Sequence, residues 1–147
     1  MGEHQRFHRG NYKKEAEEVT TSPRIDKGWL FGDFIQHGPR KTAALELKYW
    51  KLDKGQDRSH RAKENGEPVA TECTLILEGK VRGSIDGQTV YLSAGEYVLI
   101  HPRVPSNLVE EVIESVVGMT IKAPSNPGNP ARGQKNQATS PAKDGAA

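Results

Sequence analysis

The chain has a single cysteine, Cys73, which excludes an intramolecular disulfide and a cysteine-cluster metal site and fits a reducing cytoplasm. A buried structural thiol is the role expected of it. No apolar run approaches the roughly 20 residues that a membrane span needs, and the opening MGEHQRFHRGNYKKEAEE has no apolar leader core. The expectation is a cytoplasmic protein without a membrane partner. Charge of one sign is also scarce: 21 Lys and Arg stand against 19 Asp and Glu, a formal net charge of +2. That balance gives no support to binding a nucleic-acid polymer, so any basic site must be local. A G-x-S-x-G elbow, a phosphate-cradling glycine loop and a cysteine nucleophile with a matched base are all missing, which leaves covalent catalysis without visible apparatus.

What is present concentrates in the middle of 147 residues, enough for one domain. Residues 1–22 are charged and lack a clear apolar period, so they read as a flexible arm with a short helical turn over Lys13 to Glu18. From Pro124 to 147 the chain is rich in Pro, Gly, Asn, Ala and Ser and carries no large apolar residue, the composition of a disordered tail. Residues 23–123 form the expected domain. Within it, β-type runs fall at Gly28–Gln36, Ala43–Lys51, Val69–Glu78, Val81–Asp86, Thr89–Ser93, Tyr97–His101 and Val112–Lys122. Asp86-Gly87 is a type I′ hairpin signal, and Glu78-Gly79 and Ala94-Gly95 are further turn sites where glycine can take positive φ. Closely spaced hairpins without a long helical period predict an all-β sandwich or barrel.

Alternation is clean in Ala44–Trp50: Leu45, Leu47 and Tyr49 share one face, and Glu46, Lys48 and Trp50 the other. If the second face lines a barrel, Lys48 and Trp50 supply a cation and an aromatic platform; otherwise it is an exposed polar face. Between residues 40 and 63, eight basic side chains stand against three acidic ones, the one clear charge asymmetry. Such a stretch forms a solvated loop or, at a barrel mouth, draws phosphate and carboxylate ligands; Arg40, Arg58, His60 and Arg61 are its candidates. His37, in a His-Gly-Pro-Arg turn, reads as a solvent-exposed turn residue.

Glu72 to Gly79 spells E-x6-G, and sixteen residues after Gly79 comes Gly95-Glu96-Tyr97-Val98-Leu99-Ile100-His101-Pro102-Arg103-Val104-Pro105. Together these resemble the two motifs of the cupin superfamily, over about Pro68 to Asn107. The resemblance implies a small RmlC-like β-barrel, a double-stranded β-helix or jelly roll, whose motif histidines and glutamate hold a divalent metal. The two histidine positions before Glu72 fall on Asn65 and Glu67, or with the shorter spacing on Gly66 and Pro68. In the second motif the expected Pro, Gly, His and Asn positions hold His101, Arg103, Ser106 and Glu110. Of the implied ligands only Glu72 survives, so neither a metal nor another cofactor is expected. His60 swinging in from its loop, or His101 turned inward by a bulge, would be the routes to a rescued metal set.

An inward Glu72 puts Thr74 and Ile76 beside it and Cys73, Leu75 and Leu77 on the opposite face, which then calls for a covering strand or a second subunit. A homodimer is therefore expected. Glu72 reads as a ligand-facing carboxylate or as an acid paired with Lys48 or Arg82. The candidate binding residues are thus Arg40, Lys48, Trp50, Arg58, His60, Arg61, Glu72, Thr74, His101 and Ser106. The expected function is non-catalytic capture of a small anionic ligand, a nucleotide or sugar phosphate. The alternatives are a cupin enzyme, metal-dependent or a metal-free isomerase or epimerase with His60, His101 or Glu72 as base, and a scaffold whose flexible ends bind a partner.

Overall fold

The computed structural model describes residues 6–18, 27–56 and 69–125. They form one short helix, α1 (Tyr12–Glu15), and six strands: β1 (Trp29–Phe31), β2 (Glu46–Leu52), β3 (Thr71–Ile85), β4 (Gln88–Ser93), β5 (Tyr97–Ile100) and β6 (Ser106–Ala123). All the strand pairs are antiparallel, in the order β1-β2-β6-β3-β4, with β5 also on β3. The all-β expectation holds. Among the described residues no helix is long and apolar enough to cross a membrane.

The Asp86-Gly87 hairpin is as the sequence predicts, with φ of 52° and 80° at its two central residues, the backbone of a type I′ turn. Of the other two glycine sites, Ala94-Gly95 is a turn as expected, closed by Glu96 N donating to Ser93 O at 3.0 Å with φ of 91° at Gly95, and Glu78-Gly79 differs from the expectation. Glu78-Gly79 does not reverse the chain: the runs at Val69–Glu78 and Val81–Asp86 are one strand, β3, and Gly79 is a corner inside it. Gly79 has φ of 86°, and a Cβ there would lie 2.1 Å from the carbonyl oxygen of Ser115 on β6. Ala94-Gly95 is the matching corner on the facing edge, where Ala94 N donates to Gly79 O and Gly95 N to Ile76 O. β4 and β5 therefore run in one direction along β3, β4 against its second half and β5 against its first.

The corner bends the sheet. Glu72 lies beside Ile100 and Ile85 beside Ser106. The six Cα steps from Ile100 to Ser106 reach about 22 Å at most. A straight β3 would put Glu72 and Ile85 about 43 Å apart, too far even after adding two interstrand spacings of about 5 Å. The bulge also inverts strand parity, so Glu72, Thr74 and Ile76 face inward before Gly79, while Val81 and Ile85 do so after it. The enclosed core is Ile76, Val81, Leu92, Leu108, Val112 and Val116, with Trp50 and Leu52 packed on it. It fills the end of the concave face nearest the corner.

β1 is shorter than the Gly28–Gln36 run because the chain turns at Gly32, and Phe34 and Ile35 fold back to bury Trp29. β6 is longer than Val112–Lys122, because residues 106–111 pair with the second half of β3. Ala16, which caps α1, is buried with Leu30 and Tyr49 on the outer face of β2. Tyr12 meets Tyr49 edge to face at 5.0 Å.

Candidate functional site

Strand register assembles the site from residues far apart in sequence. Lys122 on β6 lies between Glu46 on β2 and Glu72 on β3, and Thr120 lies between Lys48 and Thr74. Gly118 lies between Trp50 and Ile76. Because side chains alternate, these three rows share the concave face, two of them polar and the third merging into the apolar core. Ile100 and Val98 on β5 continue the polar rows on the far side of β3.

A hydrogen-bond chain runs down this face. Trp50 Nε1 donates to Thr120 Oγ1 at 2.9 Å, Thr120 and Thr74 share a bond between their hydroxyls at 2.9 Å, and Thr74 Oγ1 donates to Glu72 Oε2 at 3.4 Å. Glu72 Oε1 then faces Lys122 Nζ at 3.9 Å. Gly118 makes room for the indole: a Cβ at that position would lie 2.3 Å from Trp50 Cζ2. Lys48 Nζ stands 5.0 Å from the ring centroid of Trp29, within cation–π range. Glu46, 1% exposed, accepts from Ser125 Oγ at 3.1 Å.

The structure brings together Lys48, Trp50, Glu72 and Thr74 from the sequence candidates. Glu72 pairs with Lys122, not with Lys48 or Arg82; the Arg82 guanidinium faces Glu111 at 3.6 Å on the outer side. Arg40 is held away from the site by Glu15 and Glu18, at 3.2 Å each. His101 is exposed, since parity keeps its neighbour Ile100 inside. Ser106 opens β6 opposite Ile85, at the other end of β3 from Glu72. Arg58, His60 and Arg61 lie outside the described residues, as do Asn65, Gly66, Glu67 and Pro68.

Sequence reasoning missed Lys122, Thr120 and Gly118. The alternation of Gly118, Thr120 and Lys122 within the predicted Val112–Lys122 run is a signal that could have placed them on one face, but only register sets them beside Glu72 and Trp50. The described residues do not fit the divalent metal that the cupin resemblance implies. Among the described residues, Glu72 has the Lys122 ammonium as its ionic partner on one side and Ile100 on the other, and no imidazole shares its face. No group of three or more His, Cys, Asp or Glu able to hold a metal occurs among the described residues.

No protein-family model and no curated protein matches the sequence. Among solved structures, the chain is similar to an RmlC-like cupin family protein from Methanocaldococcus jannaschii at 15% identity, covering 61% of this chain and 78% of that one with a TM-score of 0.49. It is similar to an RmlC-like cupin from Shewanella frigidimarina at 16% identity, covering 58% and 70% with a TM-score of 0.48. A third likeness is to salicylate 1,2-dioxygenase from Pseudoaminobacter salicylatoxidans, solved as adducts with gentisate, at 16% identity over 60% of this chain and 22% of that one, TM-score 0.45. The likeness is to the cupin fold, the same fold that the sequence motifs resemble. At these identities and TM-scores it carries no argument about chemistry.

Proposed function

We propose that the chain is a metal-independent, non-catalytic binding module that captures a small anionic molecule, of the nucleotide or sugar-phosphate class, on the polar rows of its concave face. The observation that carries this reading is the Lys122 ammonium. At 3.9 Å from Glu72 Oε1 it is too far for a full hydrogen bond, and its side chain is 26% exposed. It therefore has donors to give to a phosphate or carboxylate oxygen while Glu72 holds it in place. Lys48 supplies a second cation one row away, and the indole of Trp50, set by Thr120, offers an apolar surface at the bottom of the polar rows.

An enzymatic reading has less to draw on. His8, His37 and His101 are all exposed, so among the described residues the acids Glu46 and Glu72 are the bases on this face. Tyr91 and Tyr97 lie on the outer surface, and Tyr49 is buried behind β2.

Calorimetric titration of the metal-stripped full chain with nucleoside monophosphates and hexose phosphates tests the proposal. Binding is expected, weakened at least about tenfold in Lys122→Gln, the loss of one charge-assisted bond. No heat with either class up to millimolar concentration, or an unchanged affinity in Lys122→Gln, would sink it. So would about one equivalent of tightly bound iron, manganese, nickel or zinc in the protein as purified.

A further inference from the structure

Two buried N–H groups have no hydrogen-bond partner among the described residues, Arg82 Nε and Trp29 Nε1. Arg82 Nε faces the Glu111 carboxylate at 3.6 Å on the outer side of the sheet, which accounts for its place. The indole is harder to account for. Trp29 is 7% exposed and packs with Ile35 and with Phe34, whose ring meets it edge to face at 4.7 Å, and neither side chain offers an oxygen. A buried tryptophan ordinarily finds an acceptor, as Trp50 does in Thr120, and a phenylalanine would fill a packing role without an orphaned N–H.

Trp29 belongs to the concave face, since it lies beside Lys48 in the β1–β2 register, and Lys48 Nζ stands 5.0 Å from its ring centroid. Phe34 stands at the same end: a Cβ on Gly32 would lie 2.5 Å from Phe34 Cζ and 3.1 Å from Glu46 Cβ. These rings therefore wall the polar rows on the β1 side. The two cations of the face lean apart, Lys48 toward Trp29 on β1 and Lys122 toward Glu72 on β3. Two interstrand spacings of about 4.8 Å and two residues of about 3.4 Å set the Cα atoms of Trp29 and Lys122 about 12 Å apart, so they make two anchors and not one.

We infer that the molecule captured on this face has two anionic ends, one held by Lys122 and the other by Lys48 together with the indole N–H of Trp29. Resting on the capture reading, this narrows the ligand to a bisphosphorylated sugar or nucleoside. A charged oxygen gives the Trp29 N–H the acceptor that its packing does not supply, and a cation beside that donor favours phosphate over a neutral carbonyl. Nε1 is closed off from solvent, so side chains must move to admit the oxygen. Lys48 is the flexible one next to it: its Cγ and Cε run 3.4 Å from where a Cβ on Gly28, the neighbour of Trp29, would stand.

Four ligands test this on the full chain: adenosine monophosphate against adenosine 3′,5′-bisphosphate, and fructose 6-phosphate against fructose 1,6-bisphosphate. In at least one pair the bisphosphate is expected to bind at least about tenfold more tightly, the gain of a second charge-assisted contact. Trp29→Phe should cut that preference to about threefold or less. A second readout uses the wild type. The chain has two tryptophans, so its two indole N–H signals in a nitrogen–proton correlation spectrum are assigned from the one lost in Trp29→Phe or in Trp50→Phe. The Trp29 proton should move downfield with the bisphosphate as it gains an acceptor, and further than with the monophosphate. A bisphosphate that binds no more tightly than its monophosphate in either pair, a preference that survives Trp29→Phe, or a Trp29 signal that stays in place would overturn the inference. Monophosphate binding that weakens in Lys122→Gln would at the same time leave the capture reading standing. If none of the four binds, both fall together.

Discussion

Thr120 links the two halves of the concave face, because one hydroxyl accepts from the Trp50 indole and bonds to the hydroxyl of Thr74, which is 0% exposed. Thr120→Val keeps the shape and removes the oxygen, leaving two polar groups without that partner in a setting that water reaches poorly. We expect a loss of about 1–3 kcal/mol in urea unfolding, the cost of unsatisfied buried groups, with Thr120→Ser close to wild type. Equal stability of the valine and serine variants would show that the chain of hydroxyls contributes nothing. At this scale the sequence was legible by face and silent on contact. Alternation put Trp50 with Lys48 and Thr74 with Glu72, since both facts follow from a period of two within one strand. The Trp50–Thr120 bond spans 70 positions and depends on how β2 slides along β6, which no local pattern carries. The same holds for Arg40, whose pairing with Glu15 and Glu18 joins two stretches the sequence gives no reason to connect.

The elements turn on two glycines that look alike in sequence. Gly79 and Gly95 have φ of 86° and 91°, so any side chain at either is strained, by roughly 1–3 kcal/mol. Their surroundings differ: the Cβ of an alanine at 79 would strike the Ser115 carbonyl at 2.1 Å, while at 95 it would meet nothing within 4 Å. Gly95→Ala should therefore cost only the conformational term, and Gly79→Ala that term plus the displacement of β6, together the larger by at least about 1 kcal/mol. Matching thermal denaturation curves for the two variants would mean that β6 yields freely at the corner. This contrast also explains what was readable. The Asp86-Gly87 turn is a local event, fixed by two residues' backbone preferences, and the sequence identified it. Whether a positive φ reverses a strand or bends it depends on the partner strand: β6 runs past Gly79 without a break, so β3 continues where local signals alone suggested an end.

For the whole molecule, the decisive contact lies just beyond the last strand. Ser125, 2% exposed, donates to Glu46 Oε1 at 3.1 Å, accepts from Asp33 N at 2.9 Å, and its own N–H donates to Ala43 O at 3.0 Å. It thus fastens the end of β6 to the connection between β1 and β2, and it supplies a donor to a carboxylate that is almost completely enclosed. Composition places the end of the domain near residue 123, since no large apolar residue follows; a polar residue buried through three hydrogen bonds leaves no mark in hydropathy. Deleting residues 126–147, which hold no large apolar side chain, is expected to leave the unfolding midpoint unchanged. Extending the deletion by one residue, or making Ser125→Ala in the full chain, should lower stability by about 1–3 kcal/mol, because Asp33 N loses its acceptor and Glu46 one of its donors. Chemical denaturation of the three proteins side by side separates the cases. If the shorter deletion already destabilises as much as Ser125→Ala, the closure of the sheet lies further along the chain than Ser125.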